Sequence, residues 1–155
     1  MWRVVQISIG INMDTIKIYD HKLEKKIKGM GEIKRIVCYA QIKNLEEQGY
    51  MNFIFDTGAH TTLIPKDWWK DTDIEILGEH KLQGIISRKR CSLNVKIGKL
   101  SIKLVDKKGN ETPYFTIKAY LANINRVPLL LGLRDLPKNV KVHLEISKNN
   151  CYLDF

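Results

Sequence analysis

The sequence predicts an all-β chain, and three observations carry that expectation. Apolar and polar residues alternate with a period of two in one run after another. Short clusters rich in Gly, Asn, Asp and Lys separate those runs, and no helix of ordinary length is signalled between them. Residues 4–13 place Val5, Ile7, Ile9, Ile11 and Met13 on one face, and 15–19 continue with Ile16 and Ile18. The stretch 21–28 is polar and basic, and Gly29-Met30-Gly31 punctuates it as a turn. Residues 1–32 are therefore expected to form an N-terminal β extension ahead of a main domain at 33–155.

Within that main domain, 34–43 puts Ile36, Cys38, Ala40 and Ile42 on one face of a strand. A charged turn at 44–49 leads back into a second strand, 51–56, where Met51, Phe53 and Phe55 share a face. The two form a hairpin that delivers Asp56 to the loop beyond it. After Pro65, residues 66–70 have room for one helical turn, in which Trp68 and Trp69 either line a pocket or pack against the core. A hairpin over 79–98 bends near Gly84. Strands at 100–105 and 112–121 are joined by the turn 106–110, and 140–146 with 151–155 make a final hairpin.

Length and composition bound the function classes. A chain of 155 residues with 44% apolar content suits one domain with a sizeable core. No apolar run is long enough to cross a bilayer, and the first ten residues lack the continuous apolar block of a signal peptide. Cys38, Cys91 and Cys151 are odd in number and widely spaced, which reads as small core residues in a reducing, cytoplasmic setting. The histidines form no metal-ligand spacing, so neither a metal nor another cofactor is expected. The net charge of +9 comes mostly from scattered lysines and reads as a solvated face. Nucleic acid is not an expected partner, because few aromatics interleave with the basic residues.

The chemistry concentrates in 51–65. A carboxylate at the inner end of a hydrophobic strand is costly unless something hydrogen-bonds it or shares its proton. Asp56 is followed by Thr57, which offers a hydroxyl, and by Gly58, where the backbone can approach closely. Two apolar residues, then Asp56-Thr57-Gly58-Ala59, then Thr62-Leu63-Ile64 resembles the active-site loop of aspartic proteases. The short chain is similar to the retropepsin-like branch of that family. Downstream, Leu129-Leu130-Leu131-Gly132 resembles the family's second signature, apolar residues and a glycine that pack beneath the catalytic loop.

The resemblance runs from about residue 34 to residue 155 and implies a closed or partly open acid-protease β-barrel. It also implies one short helix near the C-terminus, which Pro137 would end within about a turn and Asp135 would cap. Asp56 is implied as the catalytic residue, with Thr57, Gly58, Ala59 and Gly132 supporting its loop. Leu82, Gln83, Gly84, Ile85 and Ile86 stand where the family carries a substrate-covering flap. Retroviral members usually hold Arg directly after the signature glycine and an acid four residues past the catalytic Asp. Leu133 and His60 occupy those positions here, which points to a cellular, microbial relative, and His60 is either a substrate-rim or a packing residue.

This chemistry needs two carboxylates about one water, one ionised and one protonated, and the chain holds a single Asp-Thr-Gly. A homodimer in which each subunit contributes Asp56 supplies the pair. The function implied is an aspartic endopeptidase acting on extended peptides or unfolded protein. One alternative keeps the fold as a non-catalytic dimerisation or peptide-binding module. A third reading, motivated only by the +9 charge, is a basic β-rich nucleic-acid binder.

Overall fold

The computed structural model describes residues 16–19, 21–83, 92–148 and 150–155. The strand expected at 4–13, Cys91 and the flap residues Gly84, Ile85 and Ile86 lie outside them. The chain is all-β. Its strands are β1 (Lys17–Tyr19), β2 (His21–Ile27), β3 (Gly31–Ile42), β4 (Met51–Asp56), β5 (Leu63–Ile64), β6 (Glu75–Gln83), β7 (Ser92–Val105), β8 (Phe115–Ala122), β9 (Leu130–Gly132), β10 (Lys141–Glu145) and β11 (Asn150–Asp154).

Eight strands form one sheet in the order β2-β3-β4-β9-β5-β8-β7-β6, and a further β3–β7 pairing closes six of them into a ring. Closure follows from the length of β3 and β7, each of which has enough residues to serve two neighbours. β3 pairs with β2 from Gly31 to Val37 and then with β7 from Tyr39 to Ile42, while Val37 to Ala40 pair with β4. β7 pairs with β6 from Ser92 to Lys99 and then with β3 from Ile102 to Val105. The core fills the ring: Phe53, Ile64, Ile102, Leu104, Leu121 and Leu131 are completely buried. A three-stranded sheet, β1-β11-β10, adds Ile18 and Leu153 to the same core cluster.

The period-two pattern predicts β4 well, with Met51, Phe53 and Phe55 buried and Asn52 exposed. Three expectations need correction. No α-helix occurs among the described residues, and the short helix expected near the C-terminus is a single 3-10 turn, Leu133–Asp135. Pro137 is the reason: its ring disfavours helical backbone in the residue before it, and Leu136 is extended at ψ 144°. The polar, basic stretch 21–28 is mostly the strand β2, paired with β3 from His21↔Val37 to Ile27↔Gly31, with the expected turn about Gly29-Met30-Gly31 between the two strands. A ribbon whose far end is exposed needs no apolar face, so its charge hid it. The two strands expected at 91–98 and 100–105 are one, β7, because Gly98 does not end the strand but leaves room for the Leu121 and Ile74 side chains. Finally, β8 begins at Phe115 and not at Thr112, since Pro113 has no N–H to give a ladder.

The turn between β7 and β8 is built around Asp106, which is 8% exposed. Its Oδ1 accepts from the amides of Lys108 (2.8 Å) and Asn110 (2.9 Å), and its Oδ2 from the Asn110 side chain (2.8 Å) and the Tyr19 amide (3.1 Å). Burial works against ionisation, but those donors outweigh it and hold the carboxyl below its ordinary value. A lowered folded value means that the stabilisation is complete above the unfolded value, near 3.9, and is lost as pH falls through the folded one. Asp106→Asn is therefore expected to cost about 1–3 kcal/mol at neutral pH, with the gap from wild type closing below roughly pH 4. Urea unfolding at a series of pH values checks this, and a pH-independent gap would show that the charge is not the cause.

Candidate functional site

Asp56 ends β4 and pairs in parallel with Gly132 of β9. Between β4 and β5 the chain makes the loop 57–62, and β9 lies between the two strands, parallel to β4 and antiparallel to β5. The loop thus leaves the sheet and returns on the far side of β9. The Asp56 side chain is half-buried, and its Oδ1 accepts from the Gly58 amide at 2.9 Å. The Ala59 amide donates to the Asp56 carbonyl at 3.1 Å, closing a tight turn.

From below, the loop is held by backbone alone at two points: Leu133 N–H donates to Ala59 O and Arg134 N–H to His60 O, each at 3.0 Å. Gly132 makes this approach possible. A Cβ there would lie 2.5 Å from Thr61 C and 2.7 Å from both His60 O and Thr61 Cα, all main-chain atoms. Only glycine fits that position without moving the backbone.

Two residues that sequence reasoning missed complete the support. Thr62 is fully buried; its Oγ1 accepts from Gly132 N–H at 3.1 Å and its carbonyl from Tyr120 N–H at 2.8 Å. Its own amide donates to Asp135 Oδ2 at 2.7 Å. Asp135, expected as a helix cap, makes no cap bond on its own turn and instead satisfies this buried amide of the loop. The signals were present as the last polar residue before Leu63-Ile64 and an acid three residues past Gly132.

Beside Asp56 opens a cavity of about 450 Å³, walled by Ile36, Ile54, Pro128, Leu130 and Leu144 with Arg35 at its side. Thr57 and Gly58 are exposed next to it, and Ala59 is half-buried. The structure therefore brings Asp56, Thr57, Gly58, Ala59 and Gly132 together. Leu82 and Gln83 lie elsewhere, near the end of β6 in the hairpin with β7, opposite Leu93 and Ser92. Trp68 and Trp69 pack on the core, and Trp69 Nε1 donates to Ala122 O at 2.8 Å. Among the described residues, no group of three His, Cys, Asp or Glu side chains gathers with metal-binding geometry, and no helix is long and apolar enough to cross a membrane. No protein-family model matches the chain, nor does any curated protein or solved structure.

Proposed function

We propose that this chain is a homodimeric aspartic endopeptidase of the retropepsin-like kind, with the ring of strands as its acid-protease barrel. One observation carries the reading: a half-exposed carboxylate stands at the mouth of an apolar cavity, on a loop fixed from beneath by Gly132, Thr62 and Asp135. Rigid support of a loop whose outer face stays open is what a catalytic carboxylate requires. Two such loops meeting on a two-fold axis would share one proton, since like charges that close cannot both ionise; aspartic proteases are the standard case.

In that pair the ionised Asp56 takes a proton from the water as its oxygen attacks the scissile carbonyl carbon. The protonated partner donates to the carbonyl oxygen, giving a neutral gem-diol. The Asp56 that took the water's proton returns it to the amide nitrogen while its partner takes a proton from a gem-diol hydroxyl. The C–N bond then breaks to give a carboxylic acid and an amine, with the pair restored to one shared proton. Thr57 would stiffen the paired loops, and the β6–β7 hairpin, with Leu82 and Gln83 on its described arm, would cover the substrate. Ile36, Ile54, Pro128 and Leu130 would seat a bulky apolar side chain next to the scissile bond, an attraction of about 1.5–3 kcal/mol. Buried Cys38 and Cys151 agree with a cytoplasmic setting.

The test joins sedimentation with cleavage of a reduced, unfolded protein across pH. A dimer is expected, with a rate that rises and then falls with pH and is blocked by a statine-type transition-state mimic. A dimer that binds peptide without turnover would identify a binding module, and a strict monomer at every workable concentration would remove the catalytic reading.

A further inference from the structure

The register of the three-stranded sheet gathers residues that the sequence scatters. Lys17, Asp154 and Lys141 stand in one cross-strand row, and Tyr19, Tyr152 and His143 in the next. Ile18, Cys151 and Leu153 point the other way into the interior, so the period of two turns both rows outward. Tyr152 and His143 stack with centroids 4.4 Å apart and planes 13° from parallel, and Tyr19 leans on Tyr152 at 5.6 Å. Lys17 Nζ sits 5.1 Å from the centre of the Tyr152 ring.

The β7–β8 turn adds more charge to the same place. Because Asp106 is tied to the Tyr19 amide, Lys108 reaches over the Tyr19 ring at 3.5 Å, and Lys107 lies 5.9 Å from the ring of Tyr39 on β3. The result is a band of half-buried aromatic rings edged by Lys17, Lys107, Lys108 and Lys141, all exposed, with the carboxylates of Asp154 and, one row beyond His143, Glu145 on the same face among the described residues. Asp106 does not oppose the lysines strongly, since four donors already engage it.

We propose that this face binds single-stranded nucleic acid. When Lys108 and Lys17 swing from ring to phosphate they uncover one face each of Tyr19 and Tyr152 for bases, while the other Tyr152 face stays stacked on His143. The combination of a stacking platform with a cationic border is what sequence-tolerant single-strand binding uses. The net charge of +9 favours the encounter. An acidic peptide would engage the lysines but would have no use for the row of rings. The interleaving of aromatic and basic residues, missing along the sequence, is supplied by the fold. The Asp56 loop takes no part, so the proposal is independent of proteolysis.

The test is fluorescence anisotropy of the whole chain with a labelled oligodeoxythymidine of about a dozen nucleotides. Binding at low salt is expected, weakening with a log–log slope of about −3 for four phosphate contacts. Lys17→Glu with Lys108→Glu should weaken it at least about tenfold, while Lys66→Glu with Lys118→Glu, on exposed positions outside this sheet, should leave it within a few-fold. Tyr152→Ala should cost about tenfold or more. Ultraviolet crosslinking of the wild-type complex should map to Tyr19 or Tyr152, a readout that does not depend on how the tyrosine variant folds. Absence of binding at low salt, equal loss in both lysine pairs, or equal affinity for polyglutamate would each overturn the proposal.

Discussion

Asp56→Asn is expected to lower peptide-bond hydrolysis by at least about a thousandfold, the upper part of what a positioned general acid–base pair supplies. The fold should be unaffected. Asn presents an Oδ1 that can keep the 2.9 Å bond from the Gly58 amide, and the side chain is only half-buried. What is lost is the capacity to take and return a proton. The same variant also tests the shared site. When it is mixed with wild type under subunit exchange, activity should fall as the square of the wild-type fraction if one Asp56 from each subunit is needed, and linearly if each chain works alone. An unaltered rate in the pure variant removes Asp56 from the mechanism.

Gly132→Ala is the second large effect, and it acts on stability. The added methyl would meet three main-chain atoms of His60 and Thr61 at 2.5–2.7 Å, none of which belongs to a side chain that can rotate away. Relief requires β9 or the loop to shift, at the expense of the Leu133–Ala59 and Arg134–His60 bonds. Overpacking of this kind costs about 3 kcal/mol, which in a chain of this length lowers Tm by roughly 6–12 °C. Thermal unfolding followed by circular dichroism measures it. The comparison is Gly78→Ala, where an added Cβ meets nothing within 4 Å; a similar loss there would show that flexibility, not crowding, is the issue.

The parts of the site that were legible in the sequence are those whose chemistry is local. Asp56 to Ala59 sit within one turn at the end of a strongly alternating strand, and Gly132 follows three leucines, of which Leu131 is fully buried. Thr62 and Asp135 were not legible, because their roles exist only where segments about seventy residues apart touch, 73 residues in the case of Thr62 and Asp135. An acid after a glycine reads locally as a cap; only the fold reveals the amide it serves. The aromatic row on β1, β10 and β11 was hidden for the same reason. The β2 strand was hidden differently: its stretch is polar and basic, so no apolar alternation marks it in the sequence.

The insertion of β9 between β4 and β5 also constrains the order of assembly. While the chain is being synthesised, the segment carrying Asp56 leaves the ribosome well before the strand that must slot beside it. The Thr62 amide waits 73 residues for Asp135, and the Thr62 hydroxyl waits 70 for the Gly132 amide. Such distant closures come late and slowly, so a nascent chain carries its acid long before that acid has a platform. The Asp56 loop therefore gains its support only once nearly all of the chain has been made.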